Sequence, residues 1–521
     1  MKPSAIAAAQ RDARMRHATW LPMSDSTDTD PTFQARVAAT VAILESIHVD
    51  RALLAELDPA LRRRLLISAG QVSRPLRKER KAQARAHQRK DREAAREKET
   101  ALLDQTGIRQ LRENPIFLTP RRQALHGNAP PAPQPALPPP IGETVKARTC
   151  YVCRQEYTLV HFFYDQMCPT CGDFNYEKRT QTADLRGRVA LVTGARVKIG
   201  YQAAILMLRA GAEVIVLTRF PRDAARRYAA EDDFEIWGER LEIHGIDLRH
   251  IPNVEALCDR LLASHERLDF IINNACQTVR RPPGYYDHLM GLELEGVGAA
   301  AQLSDRAAAL VVSGEAAMDA AMPSASFSQI PLAPGDEDRS EQLFPSGTLD
   351  ADLQQVDLRE VNSWRLMMDE VPTIELLEVH LVNAVAPFVL NARLKPLMSR
   401  VPTKDKHIVN VSAMEGQFYR TFKTARHPHT NMAKASLNMM TRTAALDYIE
   451  HGIHMNSVDT GWVTDEDPIH HAERKRAVHD FHPPLDIVDG AARIVDPILH
   501  GINTGEHVWG QFLKDYKVTD W

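Results

Sequence analysis

The sequence predicts an α/β protein built on a doubly wound parallel sheet, preceded by a helical N-terminal region and a small cysteine-rich module. Three observations lead to this fold class: short apolar runs that alternate with helical patterns beyond residue 184, two CxxC pairs ahead of them, and a long stretch of strong helix formers near the N-terminus. With 521 residues, the chain is too long for one ordinary domain.

The composition is that of a globular protein, with 44% hydrophobic residues, 25% charged residues and a net charge of −4. These values exclude a wholly disordered chain, a collagen and an integral membrane protein, and no run approaches the roughly 18 apolar residues of a spanning helix. The N-terminus lacks the apolar segment of a secretory signal. Six cysteines are too few for a disulfide scaffold. We therefore expect a cytoplasmic protein without a membrane partner.

Residues 1–127 are predicted to form a charged, helical region. Residues 33–47 and 51–70 carry apolar side chains at three- and four-residue spacing, which predicts two amphipathic helices. Residues 74–98 hold eleven Lys or Arg against four Asp or Glu, with strong helix formers and almost no apolar face. Two interpretations stay open for this basic helix: a solvated surface, or a contact for a nucleic acid or another acidic partner.

A four-cysteine module is predicted over residues 147–180, after a Pro- and Ala-rich linker at 128–146. It contains two CxxC pairs separated by fourteen residues, formed by Cys150, Cys153, Cys168 and Cys171. Four thiolates from two tight turns make a tetrahedral cage that selects zinc, or iron in a rubredoxin-like case. All four positions are then filled by protein, so we expect a structural Zn²⁺ in a small, β-rich zinc ribbon rather than a redox dithiol pair.

Residues 184–521 are predicted to form a Rossmann-like domain. Six short apolar runs have the composition of buried parallel strands: 188–193, 213–217, 241–248, 268–272, 407–411 and 454–458. Helical patterns separate them, as in a doubly wound sheet, which binds ligands beyond the carboxyl ends of its strands. Polar dipeptides and a glycine-containing turn follow several of these runs. The sequence therefore predicts a ligand site at this edge of the sheet.

The motifs at the strand ends give this domain a resemblance to a known family. They are Thr193-Gly194, Ile199-Gly200, Asp247-Leu248, Asn273-Asn274-Ala275, Asn383, Asn410-Val411-Ser412, Lys434, and Asn456-Ser457-Val458 with Gly461. In order and spacing, the set resembles the short-chain dehydrogenase/reductases over residues 184–521. The resemblance implies a Rossmann fold and an NAD(P)-dependent oxidoreductase, often a homo-oligomer. It does not identify the small-molecule substrate.

The resemblance also implies a cofactor site. Glycines after the first strand let backbone N–H groups approach a diphosphate at a helix N-terminus. Gly194 and Gly200 match two of the family's three glycine positions, whereas Lys198 stands at the middle one, where it either crowds the diphosphate or cradles it. Arg219 replaces the acid that holds the ribose hydroxyls of NAD, which favours NADP(H) over NAD(H). The other implied cofactor residues are Asp247 at the adenine, Asn273 near the adenosine ribose, and Thr193, Ile199, Leu248, Asn274, Ala275, Lys434 and Gly461.

The family's catalytic set is Asn, Ser, Tyr and Lys, the last two in a YxxxK motif, and this sequence matches it only in part. Asn383 and Lys434 match, and Ser412 is the candidate serine, although the usual position is one residue later, at Ala413. Thr430 stands where the tyrosine belongs, and a threonine hydroxyl cannot act as an acid or base near neutral pH. The candidate substitutes for the tyrosine are His427, His429 and Tyr419.

A further departure from the family is the 108 residues between Asn274 and Asn383, where the family needs a few dozen. The excess, about 285–360, contains an Ala-rich helical piece predicted to cover the site mouth and a polar, acidic stretch predicted to be mobile. Three hypotheses follow. The chain is an oxidoreductase with an atypical active site, a dinucleotide-binding pseudoenzyme that acts as a scaffold, or a nucleic-acid-associated protein that uses residues 74–98.

Overall fold

The structure, a computed structural model, describes residues 31–121, 136–294, 305–312, 322–418, 423–479 and 482–521. The chain divides into two compact units, the first ending at Ala94 and the second running from Ala95 to Trp521. The predicted helical N-terminal region is confirmed, with α1 Pro31–Val49, α2 Pro59–Ser73 and α3 Arg77–Leu103. Residues 77–94 of α3 are exposed along their whole length, as their charged composition predicts.

The predicted doubly wound parallel sheet is also confirmed, with eight strands in the order β10-β9-β8-β7-β6-β3-β4-β5. Seven strands are parallel, and β10 pairs antiparallel with β9. The strands are β3 Val189–Thr193, β4 Glu213–Thr218, β5 Leu241–Gly245, β6 Phe270–Asn273, β7 Lys406–Ser412, β8 Ile453–Asp459, β9 Phe512–Lys514 and β10 Lys517–Thr519. All six predicted strands are present. The two short strands at the C-terminal edge carry too few residues for a periodic pattern and were not predicted.

Helices cover both faces of the sheet. One face carries α6 Lys198–Arg209, α7 Pro221–Ala229 and α16 Ile487–Thr504. The other carries α9 Ile251–Ser264, α13 Ala386–Ser399 and α14 Pro428–Ile449. The remaining helices are α4 Gly107–Glu113, α5 Pro169–Thr180, α8 Phe234–Trp237, α10 Asp287–Leu294, α11 Asp305–Ala309, α12 Thr373–His380 and α15 Ile469–His479. Strands buried on both faces explain why the predicted runs are apolar throughout rather than alternating.

One helical stretch among the described residues, Thr373–Ser399, has the length and apolar composition of a membrane span. In this fold it comprises α12, a π-helical turn at Leu381–Val385, and α13. Its side chains Ala386, Leu390 and Leu394 are fully buried in the core on one face of the sheet. The apolar character of the stretch is therefore used in packing the sheet.

The four-cysteine module is a hairpin followed by a helix, not a ribbon of strands alone. Strands β1 Gly142–Thr149 and β2 Glu156–Val160 pair antiparallel around the first CxxC turn, and the second CxxC opens helix α5. Strand β1 begins within the predicted linker, whose residues 128–135 lie outside the described part of the chain. The module packs its aromatic side chains against the start of α16, as a docked subdomain does.

The insertion between β6 and α12 is described only in part: residues 296–304 and 313–318 of its Ala-rich piece, which is predicted to cover the site mouth, lie outside the described residues. The described part of the Ala-rich piece, residues 305–312, lies beside β5 at the sheet edge, where Ile243 and Val311 form a bridge. The acidic stretch is packed against the domain: Asp336 is buried and accepts two hydrogen bonds of 2.6 Å from Arg280. A buried, bidentate ion pair fixes this segment in place, contrary to the prediction of a mobile one.

Candidate active site

A cleft of about 900 Å³ lies along the carboxyl edge of the parallel sheet, where the sequence predicts a ligand site. Arg219 and Asp247 line one end of it, beyond β4 and β5, and Ser412 and Asp459 line the other, beyond β7 and β8. Four strand spacings of about 4.8 Å separate β4 from β8, so the two ends are roughly 19 Å apart. An extended dinucleotide bridges such a length.

The glycine turn after β3 is held by Asn274, the residue that follows β6. Asn274 donates from Nδ2 to the carbonyl oxygens of Thr193 and Gly194, at 3.1 and 3.2 Å. Ala275 donates its backbone N–H to Thr193 Oγ1 at 2.9 Å. A Cβ at Gly200 would lie 2.5 Å from the Gly194 carbonyl oxygen, so only glycine fits there. These contacts leave the start of α6 facing the cleft.

Lys198 has a left-handed backbone conformation, with φ of +56°, which glycine adopts more readily than other residues. This left-handed conformation costs a side-chain-bearing residue about 1–2 kcal/mol. Burial alone would lower the pKa of the ammonium, but the nearby carboxylates of Glu466, Asp352 and Asp350 raise it above its ordinary value. The side chain therefore brings a firmly held positive charge to the cleft wall.

At the end of the cleft lined by Arg219 and Asp247, two arginines differ in their hydrogen-bond and ion-pair partners. Arg219 donates to the Tyr286 hydroxyl at 2.8 Å and packs over that ring, its guanidinium 4.8 Å from the ring centre. Arg249 binds the Asp247 carboxylate and Glu378, with contacts down to 2.7 Å. Asp247 thus lines the cleft as predicted, but its carboxylate is already occupied by Arg249.

Asn273, predicted to lie near the adenosine ribose, is not among the described residues that line the cleft. It is buried at the end of β6 and donates to Asn391 Oδ1 and Asn410 Oδ1, at 2.9 and 2.8 Å. The physical reason is its register: Asn273 and Asn410 are paired across β6 and β7, so their side chains share one face of the sheet. Asn273 ties strands and helix α13 together below the cleft.

The predicted Ser–Thr–Lys set does converge at the other end of the cleft. Ser412, Thr430 and Lys434 all line it, and all three are at least 95% buried. Lys434 Nζ donates to the Val411 carbonyl oxygen at 2.7 Å. Within the part of the chain that the structure describes, Ser412 Oγ and Thr430 Oγ1 have no hydrogen-bond partner. Two buried hydroxyls without partners indicate a polar ligand at this point.

Asn383 lies in the π-helical turn Leu381–Val385 rather than on the cleft wall. Its Oδ1 accepts from the Gln277 backbone N–H at 2.7 Å, and its Nδ2 donates to the Gln277 carbonyl oxygen at 3.3 Å. The side chain therefore holds the loop after β6 in place. Single π-helical turns are frequent at functional sites, because they free a backbone carbonyl from the helix ladder.

The proposed histidine substitutes for the tyrosine are not on the cleft wall. Neither His427 nor His429 is among the described residues that line the cleft. His427 stacks on Trp364 at 3.8 Å, and burial, followed by the neighbouring His429, lowers its pKa to about 4. His429 faces Glu375, with Nε2 3.4 Å from Oε1. His427 immediately precedes α14 and His429 lies in its first turn, and both side chains are buried by packing. Tyr419 lies outside the described residues.

Sequence reasoning missed three cleft residues at the Ser412 end, namely Asp459, Lys514 and Tyr151. Asp459 ends β8 and Lys514 ends β9, and the two are paired in register. Tyr151 comes from the first CxxC turn and accepts a hydrogen bond from the Trp462 backbone N–H at 3.0 Å. Only the position of Asp459 before Thr460-Gly461 could have been found from the sequence, because the other two depend on tertiary docking.

The four cysteines are brought together as predicted. Their Sγ atoms all lie within 4.8 Å of one another, and Cys153 Sγ is 3.8 Å from Cys168 Sγ. A tetrahedral zinc site with Zn–S bonds of about 2.3 Å puts its sulfur atoms roughly 3.8 Å apart. The donor set and its spacing therefore fit a metal with four thiolate ligands.

Comparisons with known proteins match two separate segments of this domain. Residues 188–287 match the family model described as short chain dehydrogenase. Residues 366–483 match the model described as enoyl-(acyl carrier protein) reductase. The matched segments contain the glycine turn and the Ser412–Lys434 region, and the insertion separates them.

Among curated proteins, an uncharacterized protein R665 of Acanthamoeba polyphaga mimivirus is 29% identical over 369 residues, covering 67% of this chain and 71% of that protein. The short-chain dehydrogenase/reductase pyiH of Pyricularia grisea is 34% identical over 110 residues, 20% of this chain and 43% of that protein. The chain therefore spans less than half of this second relative. A solved short chain dehydrogenase from Burkholderia cenocepacia, in complex with NADP, aligns with 17% identity and a TM-score of 0.40, covering 64% and 97% of the two chains.

Proposed function

We propose that this chain, in which residues 188–287 and 366–483 form a short-chain dehydrogenase/reductase domain, is an NADP(H)-dependent oxidoreductase with an atypical active site. The observation that carries the proposal is the pair of buried hydroxyls, Ser412 and Thr430, that lack partners beside Lys434 at one end of a dinucleotide-sized cleft. The proposed substrate is a small carbonyl compound or alcohol, because the hydroxyls of Ser412 and Thr430 can donate hydrogen bonds to its oxygen.

The residues present fit the cofactor. The start of α6 offers its free backbone N–H groups to a diphosphate, and Lys198 adds a positive charge beside them. Arg219, which donates a hydrogen bond to the Tyr286 hydroxyl, would pair with a 2′-phosphate. When bound, the nicotinamide supplies the hydride chemistry. Lys434 holds a ribose hydroxyl in related enzymes, and here it stands beside the two free hydroxyls.

The cofactor site is tested by equilibrium binding of NADPH and NADH to the full-length protein. Gly200→Ala is expected to abolish saturable binding, since the new methyl group meets the Gly194 carbonyl oxygen. Gly291→Ala, where nothing lies within 4 Å of the added Cβ, is the matched control and should bind normally. Wild-type protein that binds neither nucleotide contradicts the proposal.

The choice of NADPH over NADH is tested at Arg219. A charge-assisted hydrogen bond contributes about 1.5–3 kcal/mol, so Arg219→Gln is expected to weaken NADPH binding roughly 10- to 100-fold. Binding of NADH should stay the same, because it has no 2′-phosphate. Equal loss of both nucleotides would instead assign Arg219 a structural role with Tyr286.

The pseudoenzyme alternative is favoured by a single observation, the threonine in place of the family tyrosine at position 430. It predicts nucleotide binding without turnover. Oxidation of NADPH against a panel of aldehydes and ketones, repeated with Lys434→Ala, separates the two proposals. Turnover that falls in the variant supports the enzyme; binding of NADPH without any turnover supports the pseudoenzyme.

For the four-cysteine module we propose one structural Zn²⁺ held by Cys150, Cys153, Cys168 and Cys171. The support is the spacing of the four Sγ atoms. Four thiolates fill all four positions of a tetrahedral site, as in structural zinc sites. Metal analysis is expected to find one zinc per chain in wild-type protein and none in Cys171→Ser. Iron in place of zinc would show as visible absorption.

A further inference from the structure

The loss of the family tyrosine leaves the Ser412 end of the cleft without a recognised proton donor, and Asp459 stands beside it. Asp459 ends β8, and its Cα is the register partner of Ser412 across β7 and β8. Register partners on parallel strands point their side chains to the same face, about 4.8 Å apart. Both residues line the cleft, and Asp459 is 4% exposed.

The two carboxyl oxygens of Asp459 have different surroundings. Oδ1 accepts a hydrogen bond from the Gly461 backbone N–H at 2.9 Å, which fixes the plane of the group. Oδ2 has no hydrogen-bond partner among the described residues, and Lys514 Nζ lies 3.6 Å away from it. Lys514 is thus an ion-pair partner beyond hydrogen-bond distance, and Oδ2 is left open to a hydrogen bond with a bound ligand.

Charges on every neighbouring element act on this carboxyl group. Burial raises its pKa above the ordinary value, and Glu415, from the turn after β7, and Asp515, beyond β9, act in the same direction. Lys514 on β9 acts against them. Tyr151, from the first CxxC turn, remains neutral, since burial raises the pKa of its hydroxyl. The protonated form is therefore favoured relative to an exposed aspartic acid.

We propose that Asp459 is the catalytic acid/base of this cleft, in the role that the tyrosine has in related enzymes; the inference rests on the proposed oxidoreductase function. In the reductive direction the substrate carbonyl carbon gains a hydride, with its two electrons, from NADPH, and the carbonyl oxygen gains the proton of Asp459 Oδ2. The C=O π bond breaks, a C–H and an O–H bond form, and NADP⁺ and an alcohol result. Solvent then reprotonates the carboxylate. Ser412 and Thr430 orient the carbonyl oxygen by donating to it.

The first test is the kinetics of Asp459→Asn. We expect kcat for carbonyl reduction to fall at least about 100-fold, the ordinary contribution of a positioned acid, while NADPH binding is retained. Because the acid must be protonated, wild-type kcat should fall as pH rises through the pKa of the group, and the variant should lose that limb. The control is Asp405→Asn, which removes a carboxylate paired with Arg188 at the amino ends of the strands, away from the cleft. This variant should keep wild-type kinetics. Unchanged kcat and pH profile in Asp459→Asn would overturn the inference.

A second readout does not need turnover. Infrared difference spectra between wild type and Asp459→Asn, recorded over a series of pH values, should show the carbonyl stretch of one protonated carboxyl group that persists to higher pH than in an ordinary aspartic acid, whose pKa is about 3.9. Absence of that band overturns the inference even if the variant is poorly stable. Failure of the proposed oxidoreductase function is distinguished from failure of this inference by a different result: the wild-type protein would then bind no NADPH.

Discussion

Thr430 and Lys434 lie one helical turn apart on α14, and both face the cleft. The position of the family tyrosine is therefore retained, but the threonine hydroxyl is not acidic enough to replace the phenol. A residue four positions before Lys434 lies on the same face of the helix. What the chain lacks at this point is a side chain long and acidic enough to deliver a proton. The backbone that would present such a side chain is already in place.

The first prediction concerns this residue. In the Asp459→Asn background, which lacks the proposed acid, Thr430→Tyr is expected to raise kcat for carbonyl reduction about 10-fold or more, since a positioned acid contributes at least that much. Thr430→Phe adds the same ring without the hydroxyl and should give no increase. Equal rates for the tyrosine and phenylalanine variants would show that the hydroxyl is not limiting.

The second prediction concerns the pH dependence of stability and follows from Glu293, which is buried and accepts hydrogen bonds from the Asp223 and Arg222 backbone N–H groups. Burial raises its pKa from 4.5 to about 7. The folded state thus holds a proton that the unfolded chain releases, so this stabilisation is complete below pH 4.5 and is lost as pH rises to about 7. The difference is about 3 kcal/mol.

Glu293→Gln should therefore be about as stable as wild type below pH 4.5 and more stable above pH 7. Urea unfolding of the two proteins across this range measures the difference. A constant offset between them at every pH would show that Glu293 does not titrate differently in the folded chain.

At the residue scale, the sequence was informative wherever local backbone geometry decided the outcome. Gly194 and Gly200 could be placed at the cleft because they follow the end of β3 closely, and Lys434 because of the family resemblance of its motif. Asn273 could not, because its partners Asn391 and Asn410 come from distant elements. His427 failed for a related reason: only the fold reveals that Trp364 stacks on it and removes it from the cleft.

At the scale of elements, the four-cysteine module is joined to the Rossmann domain by a buried ion pair between helices α5 and α16. Arg179 makes two hydrogen bonds to the Asp486 carboxylate, at 2.6 and 2.7 Å, and lies 2.9 Å from Asp489. Tyr164 donates to Asp489 at 2.6 Å. These contacts position Tyr151 against the loop after β8, so docking of the module and the shape of the cleft are linked.

The third prediction tests this junction. Arg179→Ala leaves two buried carboxylates without their cation and should cost about 3–5 kcal/mol of stability. Lys178→Ala, one residue earlier, is the matched control. It removes a cation from Asp496, which still accepts a 2.7 Å hydrogen bond from Gln181, so its cost should be much smaller. Denaturant unfolding measures both, and equal losses would contradict a special role for Arg179.

The alternation of strands and helices was predictable because each apolar run is buried on both faces of the sheet. The clustering of the four cysteines was predictable from the two CxxC pairs, but the position of the module at the wall of the cleft was not. Its docking depends on single contacts such as Arg179 with Asp486, which leave no periodic pattern. The π-helical turn Leu381–Val385 likewise follows from packing, not from helix propensity.

At the scale of the whole molecule, every residue that lines the cleft belongs to the unit Ala95–Trp521, and the exposed basic part of α3 belongs mostly to the other unit. The cleft and the exposed basic surface therefore belong largely to different units. One holds the cleft and the cysteine module. The other presents positive charge without an apolar core of its own among the described residues.

The last prediction follows from this division. Removal of residues 1–94 should leave NADPH affinity and zinc content unchanged, since the described residues that line the cleft and the four cysteines all belong to the unit Ala95–Trp521. If α3 contacts a nucleic acid, full-length protein should bind it with an affinity that falls as salt rises, and the truncated protein should not bind it. Binding titrations at two salt concentrations measure this. Loss of NADPH binding on truncation would show that the units depend on each other, whereas an absence of nucleic-acid binding at low salt would assign α3 the role of a solvated helix.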